Sequence, residues 1–336
     1  MRIGLDAMGG DRAPVAEVRG AVAAREHLGE GDKIVLVGRR DAIAEQLRGA
    51  EGWQDYIEIR HAEQVIRMDD PPVEALRAKP DSSLAVVTQL HKAGEVDACI
   101  SAGNTGAFVA AAQMNLRRLS CVHRPGIAVL TPTFHGPVSI CDVGANVSCR
   151  PSHLYQYGLM ASVYVQSIHG VKNPRVGLLS VGEEDAKGNE LVKKARQLLR
   201  KDPNVNFIGN VEGRDLFNGS CDVMICDGFV GNVVLKLIEG MAQSVIKGLL
   251  HEVATKMPAA AKMVEMGARS LAERWDFNEY GGAPLLGVNG ICIICHGASS
   301  DVGIKNAVRS AKQFAATHVN EQITNLLSQG SEVADG

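Results

Sequence analysis

Lys187 lies between Ala186 and Gly188, just ahead of a helix start at Asn189. An ammonium on such a loop can clamp an anion or protonate a leaving group, and a solvated loop lysine is the plain alternative. Asn232 follows Asp227 and Gly228 at the head of another helix, where it either caps that helix or donates to a developing oxyanion. His296 ends an apolar run before Gly297, which suits acid–base work, substrate contact or a buried structural role. These residues sit in polar, glycine-rich turns that each follow an apolar run: DAMGGD at 6–11, SAGNTG at 101–106, DVGAN at 142–146, GEEDAKGN at 182–189, DGFVGN at 227–232 and HGASSD at 296–301. Glycine lets the backbone approach a ligand, and a following helix N-terminus offers N–H groups to an anion, so phosphate is the natural guest. The expected phosphate- and substrate-binding set is Asp6, Gly9, Gly10, Ser101, Gly103, Asn104, Thr105, Asp142, Asn146, Asp227 and Gly228, with Ser101–Gly106 the best single turn. N-caps with turn glycines are the bland reading of any one turn.

The chain lacks G-x-G-x-x-G, the P-loop, the G-x-S-x-G elbow and H-E-x-x-H. Nicotinamide, nucleotide and serine-hydrolase readings lose their support, and no cofactor is expected. Asp6, Asp142 and Asp227 each end a strand with no close carboxylate cluster beside them, so no metal is expected either. Cys292 and Cys295 are three apart in a strand-like run, face opposite sides of it and read as core.

Positioning these turns requires a regular scaffold. β-branched runs at 34–37, 56–59, 98–100, 127–130, 138–141, 176–179, 205–208 and 223–226 alternate with helix-period segments, the rhythm of a mostly parallel sheet covered by helices. The row Leu154, Tyr157, Ala161, Tyr164, Ile168 and the row Val234, Ile238, Met241, Val245, Leu249 predict two core-facing helices. In a parallel sheet all six turns share the carboxyl edge, where one cleft would collect them. No linker divides the chain, so residues 1–336 are expected as a single α/β unit. Residues 251–277 look like an inserted helical hairpin, with Pro258 starting its second helix and Gly267 interrupting or ending it. The formal net charge of −3 argues against a nucleic-acid partner. The opening carries no secretory signal pattern and no window resembles a spanning helix, so the expected place is the cytoplasm, with any membrane contact peripheral.

DAMGGD at 6–11, SAGNTGA at 101–107, DVGAN at 142–146, GEEDAKGNEL at 182–191, FIGNVEGRDL at 207–216, DGFVGNVVLK at 227–236 and YGGAPLLGVNG at 280–290 together resemble the bacterial phosphate acyltransferase (PlsX) family over nearly the whole chain. The family's pattern differs at Ser180, where asparagine is usual, and at Ala298, where serine is usual. The resemblance implies a Rossmann-like α/β/α sandwich related to phosphotransacetylases and isocitrate-type dehydrogenases. It implies transfer of a fatty acyl group from acyl carrier protein to inorganic phosphate, giving acyl phosphate for phosphatidic acid synthesis. A homodimer attached peripherally to the inner face of the cell membrane, and active-site roles for Lys187 and Asn232, are implied as well. His296 is a secondary acid–base candidate. The runner-up activity is phosphotransacetylase-like transfer between short-chain acyl-CoA and phosphate. An acidic carrier needs a positive landing face, and Lys193, Lys194, Arg196, Arg200 and Lys201 on one helix are candidates for it, or simply its solvated surface. The hairpin, with Met257, Met263, Val264 and Met266, is expected to touch either the membrane or a partner subunit.

Overall fold

The computed structural model describes residues 1–275 and 277–334. Among them eleven strands form one sheet: β1 (Arg2–Asp6), β2 (Lys33–Gly38), β3 (Ile57–His61), β4 (Ala98–Ser101), β5 (Gly126–Thr131), β6 (Val138–Cys141), β7 (Arg175–Leu179), β8 (Asn206–Val211), β9 (Val223–Ile225), β10 (Ala283–Leu286) and β11 (Cys292–Ile294). Their order is β3-β2-β1-β4-β11-β10-β5-β6-β9-β7-β8. Strands such as Ile34-Val35-Leu36-Val37 are buried throughout, as expected for a sheet with helices on both faces. Cys292 and Cys295 fall into different apolar clusters of that core, Cys292 with Cys99 and Val288, Cys295 with Ile293 and Ile304.

The sheet has two parallel halves. β3, β2, β1, β4 and β11 run together, and so do β6, β9, β7 and β8. Between them lie the antiparallel pairs β11–β10, β10–β5 and β5–β6. Three reversals leave the second half running against the first. The turns after β1, β4 and β11 therefore leave one end of the strands, and those after β6, β9 and β7 leave the opposite end. The expectation of a single carboxyl edge fails here, because strand direction depends on long-range pairing that local apolar runs do not encode.

Two helices matter most for the site. Pro151–His169 begins with proline in its first turn, ends at Gly170 in the left-handed region (φ 68°), and is buried along most of its length. Gly228–Lys256 is a 29-residue helix capped by Asp227. Val230, Val234, Leu235 and Ile238 pack on the core, but Met241, Val245 and Leu249 are exposed. The core-facing reading of that row thus holds only for its first part. A turn at Met257 and a short 3-10 segment, Pro258–Ala260, lead into the helix Ala261–Arg274. The two-helix arm is rooted at Gly228, well before 251, because nothing in 228–256 breaks the first helix, and Gly267 lies inside the second. No helix among the described residues is long and apolar enough to cross a membrane.

Candidate active site

Hydrogen bonds and close approaches sort the expected site residues into two nests. In the first, Asp6 ends β1 fully buried, accepting from Ser101 Oγ at 2.7 Å and from the Met8 backbone N–H at 3.1 Å. Burial pushes its carboxyl up, and the hydrogen bonds from Ser83, Ser101 and Met8 pull the other way. Ser101 Oγ also accepts the Gly103 N–H at 3.0 Å. A Cβ on Gly9 would lie 2.7 Å from the Gly103 nitrogen, so glycine here is what lets the turns after β1 and β4 touch. Asn104 caps the helix Thr105–Asn115 through Ala107 N–H, and its amide reaches the carbonyls of Arg67, Met68 and Asp70. Ser101 and Asn104 are thus occupied by the protein itself, whereas Thr105 is exposed at the helix start. The turn after β11 joins through Asp11 N–H to the Gly297 carbonyl at 2.8 Å and Arg12 to the Ser299 carbonyl at 3.1 Å. His296 is exposed; its Nδ1 accepts the Ala298 N–H at 3.2 Å, which places the proton of the neutral ring on Nε2.

The sequence reading missed Glu17. It lies on the helix Val15–Ala23 beneath this nest, 1 % exposed, and a Cβ on Gly10 would meet its Oε1 at 2.1 Å. Its Oε2 is buried without a hydrogen-bond partner among the described residues. Burial, with Asp6 adding to it, raises its carboxyl to about 7. The only signal for it was an acid inside an otherwise apolar helix face.

The second nest follows β6, β9 and β7, which are adjacent and parallel, so their turns leave side by side. Asp142 is its hub: Oδ1 accepts N–H groups from Ile127, Gly144 and Ala145 at 3.0 to 3.2 Å, and Oδ2 accepts Asn146 N–H at 2.7 Å. Burial raises the Asp142 carboxyl against these donors. Asn146 Nδ2 donates to the Pro125 carbonyl at 2.6 Å and to Tyr157 Oη at 2.8 Å. Asp142 and Asn146 therefore build the turn. Asp227 Oδ1 caps its helix by accepting Phe229 and Val230 N–H groups, both at 3.0 Å, and Gly228 sits where a Cβ would strike Asp142 and Asn146. Capping thus belongs to Asp227 and not to Asn232. Asn232 is half-buried within the helix, beside Gly144, which is in a positive-φ conformation (130°), and its amide makes no hydrogen bond among the described residues. Lys187 is exposed, its side-chain carbons lie against Gly182, and its ammonium has no ion pair among the described residues. Gly188 turns the chain at φ 93° into the helix Glu190–Lys201. The one nest thus presents an uncommitted ammonium and an uncommitted amide. Among the described residues no group of three or more His, Cys, Asp or Glu side chains is placed to hold a metal.

Residues 1–322 match the protein family described as "Fatty acid synthesis protein". The chain is 49% identical over 321 residues to a phosphate acyltransferase of Heliobacterium modesticaldum, covering 93% of each chain. It is 45% identical over 333 residues to one of Geotalea uraniireducens, covering 98% of this chain and 95% of the other. Among solved structures, a phosphotransacetylase from Streptococcus pyogenes matches with a TM-score of 0.62 at 15% identity, covering 94% of each chain. A 4-hydroxythreonine-4-phosphate dehydrogenase from Klebsiella pneumoniae matches at 0.51 and 13%, covering 94% of this chain and 98% of that one. At such identities these two speak for the fold alone: a Rossmann-like α/β/α body.

Proposed function

The chain belongs to the phosphate acyltransferase family, and on that premise we propose that it moves a fatty acyl group from acyl carrier protein to inorganic phosphate, supplying acyl phosphate for phospholipid synthesis. The observation that carries the reading to particular residues is the pairing, on adjacent turns of the second nest, of an unpaired Lys187 with an unbonded Asn232 amide. A phosphate oxygen attacks the thioester carbonyl carbon, the C–S bond breaks, and the proton of hydrogen phosphate goes to the departing thiolate. Asn232 donates to the oxyanion, and Lys187 offsets the charge on phosphate or relays that proton to the thiolate. Phosphate itself is the nucleophile, so the reaction needs no acyl-enzyme and no nucleophile elbow.

We assign the first nest to the same reaction, across the antiparallel strands β10 and β5 that join the two halves. There the N–H groups at the start of Thr105–Asn115 and the Thr105 hydroxyl contact phosphate, and His296 Nε2 is a secondary acid or base. The protein works as a cytoplasmic homodimer. A second copy covers the exposed row Phe229, Val233, Leu237, Met241, Val245 and Leu249, and the arm tip rests on the inner face of the membrane.

The test is phosphate-dependent formation of acyl phosphate, trapped with hydroxylamine, from long-chain acyl carrier protein and, in parallel, from short-chain acyl-CoA. Faster turnover of the carrier substrate is expected. Preference for short-chain acyl-CoA would shift the assignment to phosphotransacetylase-like transfer, and no phosphate-dependent product from either would end the reading.

A further inference from the structure

A cationic patch borders the second nest. Arg118 donates to the His123 carbonyl, and the His123 ring stands edge-on to His153 with centroids 6.3 Å apart. The Arg150 backbone N–H donates to His153 Nδ1 at 3.1 Å. Burial pushes the His153 imidazole down to about 4, and among the neighbours that add to this are the guanidinium groups of Arg124, Arg150 and Arg118. Arg117 extends the patch, exposed and in the left-handed region at φ 66°. Arg2, Arg60, Arg175 and Arg200 each hold a carboxylate, but Arg117, Arg118, Arg124 and Arg150 hold none among the described residues. The patch is also firmly built. Gln156 accepts the His123 N–H and donates to the Cys121 carbonyl, both at 2.8 Å.

Its position links it to the reacting groups. Arg124 precedes Pro125, whose carbonyl holds Asn146 of the nest, and Arg150 follows Cys149, whose thiol donates to the Asn146 carbonyl at 3.6 Å. We propose that this patch is the docking surface for an acidic protein that presents the thioester to the second nest, an inference that rests on the acyl-transfer reading. Charge complementarity selects the partner: a chain of net charge −3 repels an acidic protein on average, so capture needs a local cluster of unpaired cations. The helix Glu190–Lys201 is a weaker landing face than its composition suggests, since Arg196 is buried and Arg200 is bidentate on Asp185 at 2.7 and 2.8 Å. A membrane is the poorer fit, because Leu119 and Val122, the apolar side chains between the arginines, are buried and offer nothing to insert.

The test compares the wild-type protein with the Arg117→Gln/Arg124→Gln double variant and with Arg124→Lys, all with matched thermal melts. The double variant should raise KM for acyl carrier protein by at least about fivefold and flatten its salt dependence. KM for phosphate and turnover of acyl-pantetheine, a thioester without the carrier, should stay unchanged, and Arg124→Lys should behave as wild type. An unchanged carrier KM overturns the proposal, as does a rise produced instead by Lys193→Glu/Lys194→Glu. A parallel rise in KM for phosphate would make the patch a phosphate site, and loss of anionic vesicle binding at constant carrier KM would make it a membrane contact; either result overturns docking. Equilibrium binding of holo-carrier protein to the same variants runs alongside. Should the wild type make no acyl phosphate, the functional reading fails while the binding arm still decides the patch.

Discussion

At the scale of single residues, Lys187 and Asn232 differ from Asp142, Asn146, Asn104 and Asp227 in having nothing of their own to hold. Asp142, Asn146, Asn104 and Asp227 spend their hydrogen bonds on turns and caps. Lys187→Ala should therefore leave the melting temperature within about a degree of wild type, since an exposed loop side chain has little packing to lose. Turnover should fall by about 10²-fold, comparable to the loss of one oxyanion donor. Lys187→Arg should recover only part of it, because a planar guanidinium neither matches a compact ammonium nor gives up a proton near neutral pH. Wild-type turnover in a folded Lys187→Ala protein would remove the residue from the chemistry. Both residues were legible in the sequence as polar side chains in glycine-rich turns, but which of the turn residues are free was not. That depends on partners such as Pro125 and Tyr157, brought to Asn146 only by the fold.

Glu17 carries a second prediction at this scale. Its carboxyl titrates near 7 in the folded chain against 4.5 ordinarily. Between those values the folded state keeps a proton that the unfolded state has released, so stability falls as pH rises through that window, by about 3 kcal/mol in total. Glu17→Gln removes this slope. The difference between their melting curves from pH 4.5 to 8 reports Glu17 together with its coupling to Asp6, and parallel curves would refute the assignment.

At the scale of elements, the apolar runs read from the sequence coincide with β2 to β9, since the inner strands, buried on both faces, need a continuous run of such residues, while the edge strands β3 and β8 are only partly buried. Helical periodicity was legible in the same way, but it reports a face and not what covers the face. The row from Val234 onward begins in the core and ends in solvent. The arm that results carries Met257, Met263 and Met266 at 60%, 73% and 68% exposure, whereas Val264 is half-buried. In the proposed membrane contact these methionines supply the flexible apolar surface and Lys262 meets anionic headgroups at about 1 kcal/mol, whereas Lys256 is already paired with Glu252. Met263→Glu/Met266→Glu should abolish flotation with anionic liposomes while acyl transfer in solution persists. Flotation that survives the change would leave the arm as a subunit contact only.

At the scale of the whole molecule, the long helix poses a solvation problem that one chain does not solve. Phe229, Val233, Leu237, Met241, Val245 and Leu249 recur every four residues, so they form one continuous ridge, and each is 48% exposed or more. A ridge of this kind on a helix that outruns its own core needs a cover, since most helical stability in water comes from packing of the apolar face. A second copy offers an identical ridge, and ridges of the i±4 type pack against one another with axes crossing at about −50°, which suits a two-fold contact. The ridge begins at Phe229, three residues before Asn232, so the contact would also fix the helix that aims the candidate oxyanion donor. Leu237→Glu/Met241→Glu should shift the protein to a monomer in sedimentation equilibrium, and turnover should fall with dimer content as the protein is diluted. A double variant that stays dimeric would place the subunit contact elsewhere, and a fully active monomer would separate assembly from the positioning of Asn232.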